Sequence, residues 1–232
     1  AYMRGHWDTL EWFSNKKIDF ENYFLLGDYT QCHSLLNEIK DKIGVSLWYY
    51  EAKSLLFEYE GKSKDGLTYI SEILHECSNN NNYLLSLLYN LYERCHKRVS
   101  PFKYDEDLNA LYKRNRTELH EDYYQYVLYR LNYYNQYQNT DLSLPIMFES
   151  LSALVDRYLM VVSIIKSALI QIPDDTIIRS KGCYLYGKTK DRALISVMAL
   201  GNRKIDNYVN ESIIRMLDIL VIIHNAKKNR LN

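Results

Sequence analysis

The sequence predicts an all-α protein: antiparallel helical hairpins stacked side by side, then a C-terminal helical part with a short irregular or β excursion. Three observations carry this. Residues 20–39 and 54–73 echo each other 34 residues apart: Tyr23 with Phe57, Gly27 with Gly61, Cys32 with Gly66, Leu36 with Ile70, Ile39 with Ile73. That period is the one helix–turn–helix repeats use. Only 3 Pro and 8 Gly interrupt the 232 residues, so helix breakers are scarce. Apolar residues also recur at helical spacing, as at Leu84, Leu85, Leu87, Leu88 and Leu91.

The elements follow in order. Residues 1–15, with Trp7, Leu10, Trp12 and Phe13, read as the end of a preceding helix. A first hairpin spans about 17–26 and 28–43, turning at Gly27-Asp28 and closed by Gly44. A second spans about 46–60 and 64–77, turning at Gly61-Lys62. The polar run Ser78–Asn82 is a loop, and a helix at about 83–98 follows it. Ser100-Pro101 stops that helix and begins a shorter one at about 104–115, before a tyrosine-laden helix at about 118–136. Residues 139–145 form a boundary, dividing the chain into hairpins at 1–140 and a C-terminal helical segment at 141–232. A long apolar helix is expected at about 145–172, the least helical part at about 174–205, and an amphipathic helix at about 207–225.

The pattern resembles the tetratricopeptide-repeat family. Gly27, Tyr29, Cys32 and Leu36 match the family's turn glycine, following aromatic, small residue and aliphatic. Gly61, Gly66 and Ile70 match in the second copy, where Ser63 replaces the aromatic. Neither copy ends in the family's Pro, and the register drifts by Cys95. The resemblance covers about 16–77. It implies a concave surface, made by the first helix of each pair, that binds a protein or peptide. It transfers no ligand-binding residues.

Composition narrows the function classes. The formal net charge is zero, so whole-chain attraction to nucleic acid or membrane is not indicated. From Asp174 onward 11 Lys and Arg face 6 Asp and Glu, a modestly basic end that the rest of the chain balances. The most apolar stretch, 144–172, contains Glu149, Asp156, Arg157 and Lys166, which argues against a membrane span. Cys32, Cys77, Cys95 and Cys183 show no disulfide-framework spacing, which fits a reducing, cytoplasmic setting. No signal peptide is evident. The chain opens Ala1-Tyr2-Met3-Arg4, which suggests a trimmed chain or a piece of a larger protein. The 23 tyrosines, with abundant Asn and Lys, fit an AT-rich, bacterial-type genome. The alternative reading is a contact surface, because Tyr joins a rigid apolar face to a polar tip.

Three letter strings raise chemistry. Gly182–Thr189 spells a phosphate loop, in which Gly187, Lys188 and Thr189 would hold a nucleotide and its Mg²⁺. The bulky interior Cys183-Tyr184-Leu185-Tyr186 and the charged segment before it do not suit tight wrapping of phosphates. Arg114-Asn115 with His120 resembles the Arg-Asn…His signature of the all-helical HEPN ribonucleases, which implies Arg114 on the scissile phosphate and His120 beside it. A charged junction between helices explains the same letters. His75-Glu76-Cys77 and Cys95-His96 lack the closely paired spacing of zinc ligands and read as loop-end and core residues. The expected function is protein or peptide recognition by a scaffold or sensor module, without cofactor or metal. A ribonuclease built on Arg114 and His120, or a nucleotide-binding protein built on the Gly182–Thr189 loop, is the alternative.

Overall fold

The computed structural model describes residues 2–77, 83–96, 98–115, 153–171 and 175–199. Among these every regular element is helical, and there is no strand. A 3-10 turn at Tyr2–Gly5 precedes α1 (Trp7–Leu26), α2 (Tyr29–Ile43), α3 (Leu47–Tyr59), α4 (Ser63–Cys77), α5 (Tyr83–Cys95) and α6 (Pro101–Asn115). Later come α7 (Leu154–Gln171), α8 (Thr176–Thr189) and α9 (Arg192–Ala199). The chain divides into two compact units, Ala1–Val161 and Val162–Asn232, so α7 gives its first half to one and its second half to the other.

In the first unit the 34-residue echo is a repeat of backbone geometry. Gly27 and Gly61 end α1 and α3 with φ +77° and +78°, a left-handed conformation in which a side chain would be strained. Gly27 N–H donates to Phe24 and Gly61 N–H to Glu58. Asp28 N–H donates to Tyr23, and Lys62 N–H to Phe57. Cys32 N–H then donates to Asp28, and Gly66 N–H to Lys62. Each of these three bonds in the first hairpin thus has a counterpart 34 residues on. The starts of the second helices differ: Asp28 also caps α2 by accepting from Gln31 N–H at 3.2 Å, and Lys62 in its place cannot accept.

The small residues of the echo are the points of closest approach. Cys32 is fully buried, and its thiol donates to the Phe20 carbonyl at 3.7 Å, tying α2 to α1. Gly66 is buried against Tyr92 of α5. Phe20, Leu35, Leu36, Tyr49, Ala52 and Leu56 join Cys32 in one core cluster. Trp48 meets Phe13 and Phe20 edge to face, with centroids 5.1 and 5.7 Å apart. Phe24 meets Tyr59 at 5.0 Å. The contacts Phe13–Trp48 and Phe24–Tyr59 advance along both helices together, so α1 and α3 run in the same direction.

The N-terminus of α3 is capped twice. Ser46 Oγ accepts from Tyr49 N–H at 3.1 Å. The buried carboxylate of Asp156, on α7, accepts from Leu47 N–H at 2.9 Å and Trp48 N–H at 3.1 Å. Three first-turn donors that α3 cannot satisfy internally are thereby paired. Two residues along, Tyr158 is fully buried with its hydroxyl 3.5 Å from Ser14 Oγ on α1.

In the second unit Asp175 caps α8, its Oδ1 accepting from Ile177 and Ile178 N–H, both at 2.9 Å. Lys190 ends α8 with φ 52°, and Asp191 starts α9 by accepting from Ala193 N–H at 2.9 Å. Leu185 and Leu194 are buried.

Two sequence expectations change. Residues 7–26 are one continuous helix rather than the end of one and the start of another, because Phe13, Ser14 and Phe20 all face the core along its length. The irregular or β excursion expected at 174–205 is helical over 176–189 and 192–199, where Asp175 and Asp191 supply the caps. The second hairpin stands within a residue or so of its expected bounds, α5 ends at Cys95, and α6 starts at Pro101 itself, where proline is favoured. The expected helices at 118–136 and 207–225, the boundary at 139–145 and the first residues of the helix expected from 145 lie outside the described residues.

Candidate functional site

Two groups on α2–α5 combine charge, aromatic rings and burial. The first is a lysine among rings. Tyr49, Lys53 and Phe57 lie at four-residue steps on α3, a spacing that places them on one face. Tyr69 of α4 packs against Phe57 at 5.6 Å and Tyr50 at 6.3 Å between centroids. Lys53 Nζ stands 4.5 Å from the Tyr69 ring centre and 5.8 Å from that of Tyr49. Ring faces attract a cation at such distances. Burial holds the Lys53 ammonium below its ordinary pKa, and the positive charge of Lys40 on α2 adds to the effect. The Tyr69 hydroxyl is pushed well up by burial, with Tyr49 and Tyr50 contributing. A second cation–ring pair joins α2 to α1, with Lys42 Nζ 4.1 Å from the centre of Trp12.

The second group is a polar clasp. Glu58 is buried at 2% exposure, and Ser63 Oγ donates to its Oε2 at 3.0 Å. The Tyr92 hydroxyl has two acceptors in reach, Glu58 Oε1 at 2.7 Å and the Ser63 carbonyl at 2.8 Å. His96 Nε2 lies 3.9 Å from Glu58 Oε1, with its ring edge to face on Tyr92. Burial, then the bond to Glu58, pushes the Tyr92 hydroxyl far above its ordinary range. The clasp joins α3, α4 and α5, and the ion pair of Glu51 with Arg94 adds a second link between α3 and α5. Its acid, phenol and hydroxyl are engaged with one another, the arrangement of a structural network.

Near the clasp, burial raises the Cys95 thiol to about 11 against the opposing pull of Arg94. Burial raises Cys32 to about 11 as well, with Asp28 adding. Thiols held so high are poor nucleophiles at neutral pH. At the α2–α3 edge, partial burial works to raise Glu60, but hydrogen bonds from His33 and Lys62, each at 3.2 Å, outweigh it and hold the carboxyl below its ordinary value. The ends of α1 and α3 expose apolar side chains: Leu25, Leu26 (79% exposed) and Tyr59. Leu25 and Tyr59 occupy the same position of the repeat.

The residues singled out from sequence are dispersed. Gly182–Thr189 lies inside α8, so its N–H groups point along a helix and do not converge on a phosphate. Gly187 and Lys188 are exposed on the last turn. Thr189 is fully buried, its hydroxyl donating to the Leu185 carbonyl at 2.9 Å. Arg114 stands in the last turn of α6, and His120 lies outside the described residues. His75 is exposed on α4, and Cys95 and His96 sit at the end of α5. Among the described residues no three or more His, Cys, Asp or Glu gather as a metal site needs. No helix there is long and apolar enough to cross a membrane. Of the tyrosines, Tyr49 and Tyr92 are core residues and Tyr50 is half-buried. Sequence reasoning missed Lys53, Glu58 and Asp156. The helical spacing of Tyr49, Lys53 and Phe57 was a signal for the first, whereas the partners of the other two come from distant parts of the chain. Compared with models of protein families, with curated proteins and with solved structures, the chain matches none at a significant level.

Proposed function

We propose that the hairpins of residues 7–95 form a tetratricopeptide-like surface that recognises a protein or peptide, as the scaffold or sensor module of a larger assembly inside the cell. The observation that carries this reading is the recurrence of the same turn and the same three backbone hydrogen bonds 34 residues apart. Hairpins repeated in this way present a row of equivalent positions, which suits extended binding surfaces. Leu25 and Tyr59, exposed at one such position, fit contact residues, as does the exposed Leu26 beside them. The test is selection from a random peptide display library on the purified chain, followed by binding measurements with Leu26→Asp and Tyr59→Ala. Enriched sequences whose affinity falls about tenfold in either variant support the reading. Failure to enrich any sequence overturns it, as does unchanged affinity in both variants while their helical circular dichroism is retained.

A further inference from the structure

We propose that the exposed face of α8 docks an acidic helical segment of a protein partner, at a site separate from the hairpin surface. The two carboxylates next to α8 are engaged as helix caps. Asp175 accepts from Ile177 and Ile178 N–H at its start. Asp191, just past its end, is buried and accepts from Ala193 N–H. Lys181, Lys188, Lys190 and Arg192 are all exposed, and Arg179 is half-buried. Over residues 175–199 every exposed charge is therefore positive. The zero net charge of the whole chain hides this local excess, which is complementary to an anionic partner.

The largest exposed side chains of α8 fall into one stripe. Steps of four, three and four residues keep Ile177, Lys181, Tyr184 and Lys188 within about 60° of one another around the helix. Ile177 is 68% exposed and Tyr184 53%. Apolar and cationic side chains thus alternate over three turns, about 16 Å. Lys181 and Lys188 stand seven residues apart, about 10.5 Å along the axis. Two carboxylates seven residues apart on a second helix have that same spacing, and an apolar side chain midway between them meets Tyr184. Beside the stripe Thr176, Ser180 and Gly187 are exposed and small. A Cβ on Gly187 would meet nothing within 4 Å, so there is room for a second helix to lie close.

Other anionic surfaces fit this face less well. A helix that lies on a membrane buries its apolar face in the bilayer, whereas the apolar side of α8, with Leu185, is buried within the protein. Single-stranded nucleic acid follows a basic groove in which successive bases stack on aromatic rings. The exposed side of α8 is the convex face of a single helix, and Tyr184 is its one exposed ring.

The test is fluorescence anisotropy of labelled alanine-based helical peptides titrated with the full chain. One peptide carries two Glu seven residues apart with Leu midway. A second has Gln in place of both Glu, and a third sets the two Glu five residues apart. An oligouridylate RNA and phosphatidylserine vesicles are separate probes. The first peptide is expected to bind about tenfold more tightly than the other two, and to weaken with added salt. Its affinity is expected to fall about tenfold or more in the double variant Lys181→Glu, Lys188→Glu, and to fall in Tyr184→Ala. Both lysines are exposed, so the double variant decides the matter if Tyr184→Ala lowers the helical signal. Leu26→Asp, on the hairpins, is expected to leave this binding unchanged. No saturable binding of the first peptide overturns the proposal, as does binding that survives charge reversal. Equal binding of the two Glu spacings reduces the face to unselective charge and overturns the helical partner. RNA bound more tightly than the peptide overturns it in favour of nucleic acid. Vesicles bound more tightly than the peptide, and released by charge reversal, overturn it in favour of a membrane. Loss of binding in Leu26→Asp but not in the double variant moves the contact to the hairpins and overturns this site while the recognition reading stands.

Discussion

Gly66 and Tyr92 meet where a side chain at position 66 would begin: a Cβ there would lie 2.9 Å from Tyr92 Cε2 and 3.1 Å from Phe57 Cβ. Alanine favours a helix over glycine by about 1 kcal/mol, yet overpacking costs about 1–3 kcal/mol. Gly66→Ala is therefore expected to destabilise the protein by about 1–2 kcal/mol in urea denaturation. Gly187, also in a helix, would meet nothing within 4 Å. Gly187→Ala is expected to stabilise by up to about 1 kcal/mol. Equal effects of the two changes would mean that the approach of α4 to α5 is not what selects glycine at 66.

Removing the Asp156 carboxylate leaves two N–H groups of α3 without their acceptor. Asp156→Ala is expected to cost about 3 kcal/mol, from the loss of a cap and of charge-assisted hydrogen bonds. Asp156→Asn, which keeps one acceptor oxygen, is expected to cost less. Hydrogen exchange at Leu47 and Trp48 reports the loss directly, and unchanged exchange in the alanine variant would refute the assignment.

Glu60 supplies a pH dependence whose sign is set by its partners. His33 and Lys62 hold its carboxyl below the ordinary value in the folded state, so the unfolded chain binds the proton more readily. The stabilisation is present above the ordinary glutamate pKa of about 4.3 and is lost as pH falls through the folded value. Glu60→Gln is expected to be less stable than the parent at neutral pH and to show a shallower decline below about pH 5. Urea denaturation across that range checks it, and parallel profiles for the two proteins would show that the pairing contributes nothing.

The neighbours Lys188 and Thr189 separate helix from phosphate loop. Thr189 is buried, with its hydroxyl donating to Leu185 and accepting from Asp191 N–H at 3.4 Å. Thr189→Ala is expected to cost about 1–2 kcal/mol, and exposed Lys188→Ala less than about 0.5 kcal/mol. Mg²⁺-ATP is expected to leave the melting temperature of the parent unchanged. A rise in melting temperature that Lys188→Ala abolishes would restore the nucleotide reading.

What could be read from the letters was local. Gly27 and Gly61 announced their turns because a left-handed residue excludes most side chains, and Cys32 and Gly66 marked close approach because only small residues permit it. The helices that meet at these turns were therefore placed to within a residue or so, except for the start of α1, which lies ten residues earlier than expected. The break expected within α1 was an error of pattern, since polar Asn15-Lys16-Lys17 interrupts the apolar run without ending the helix. The helix at 176–189 is not legible in the letters because Gly182 and Gly187 suggest a loop, whereas its cap, Asp175, lies outside the phosphate-loop pattern. The Lys53 rings were half legible: their spacing on α3 is written in the sequence, and Tyr69 is not. Asp156 was seen only as a charge unsuited to a membrane. Its role depends on Leu47 and Trp48, 109 and 108 residues away, and no short-range pattern encodes that partnership.

The same separation has a consequence for the order in which the protein is made. Turns at Gly27 and Gly61 can close as soon as their own hairpins emerge during synthesis. The start of α3 cannot, because its second cap is still untranslated. At about 5–20 residues per second, a growing chain carries an incomplete third helix for several seconds before Asp156 arrives. Completion of the N-terminal hairpins is thus coupled to translation of α7, and a chain arrested before that point would hold these helices in a looser state.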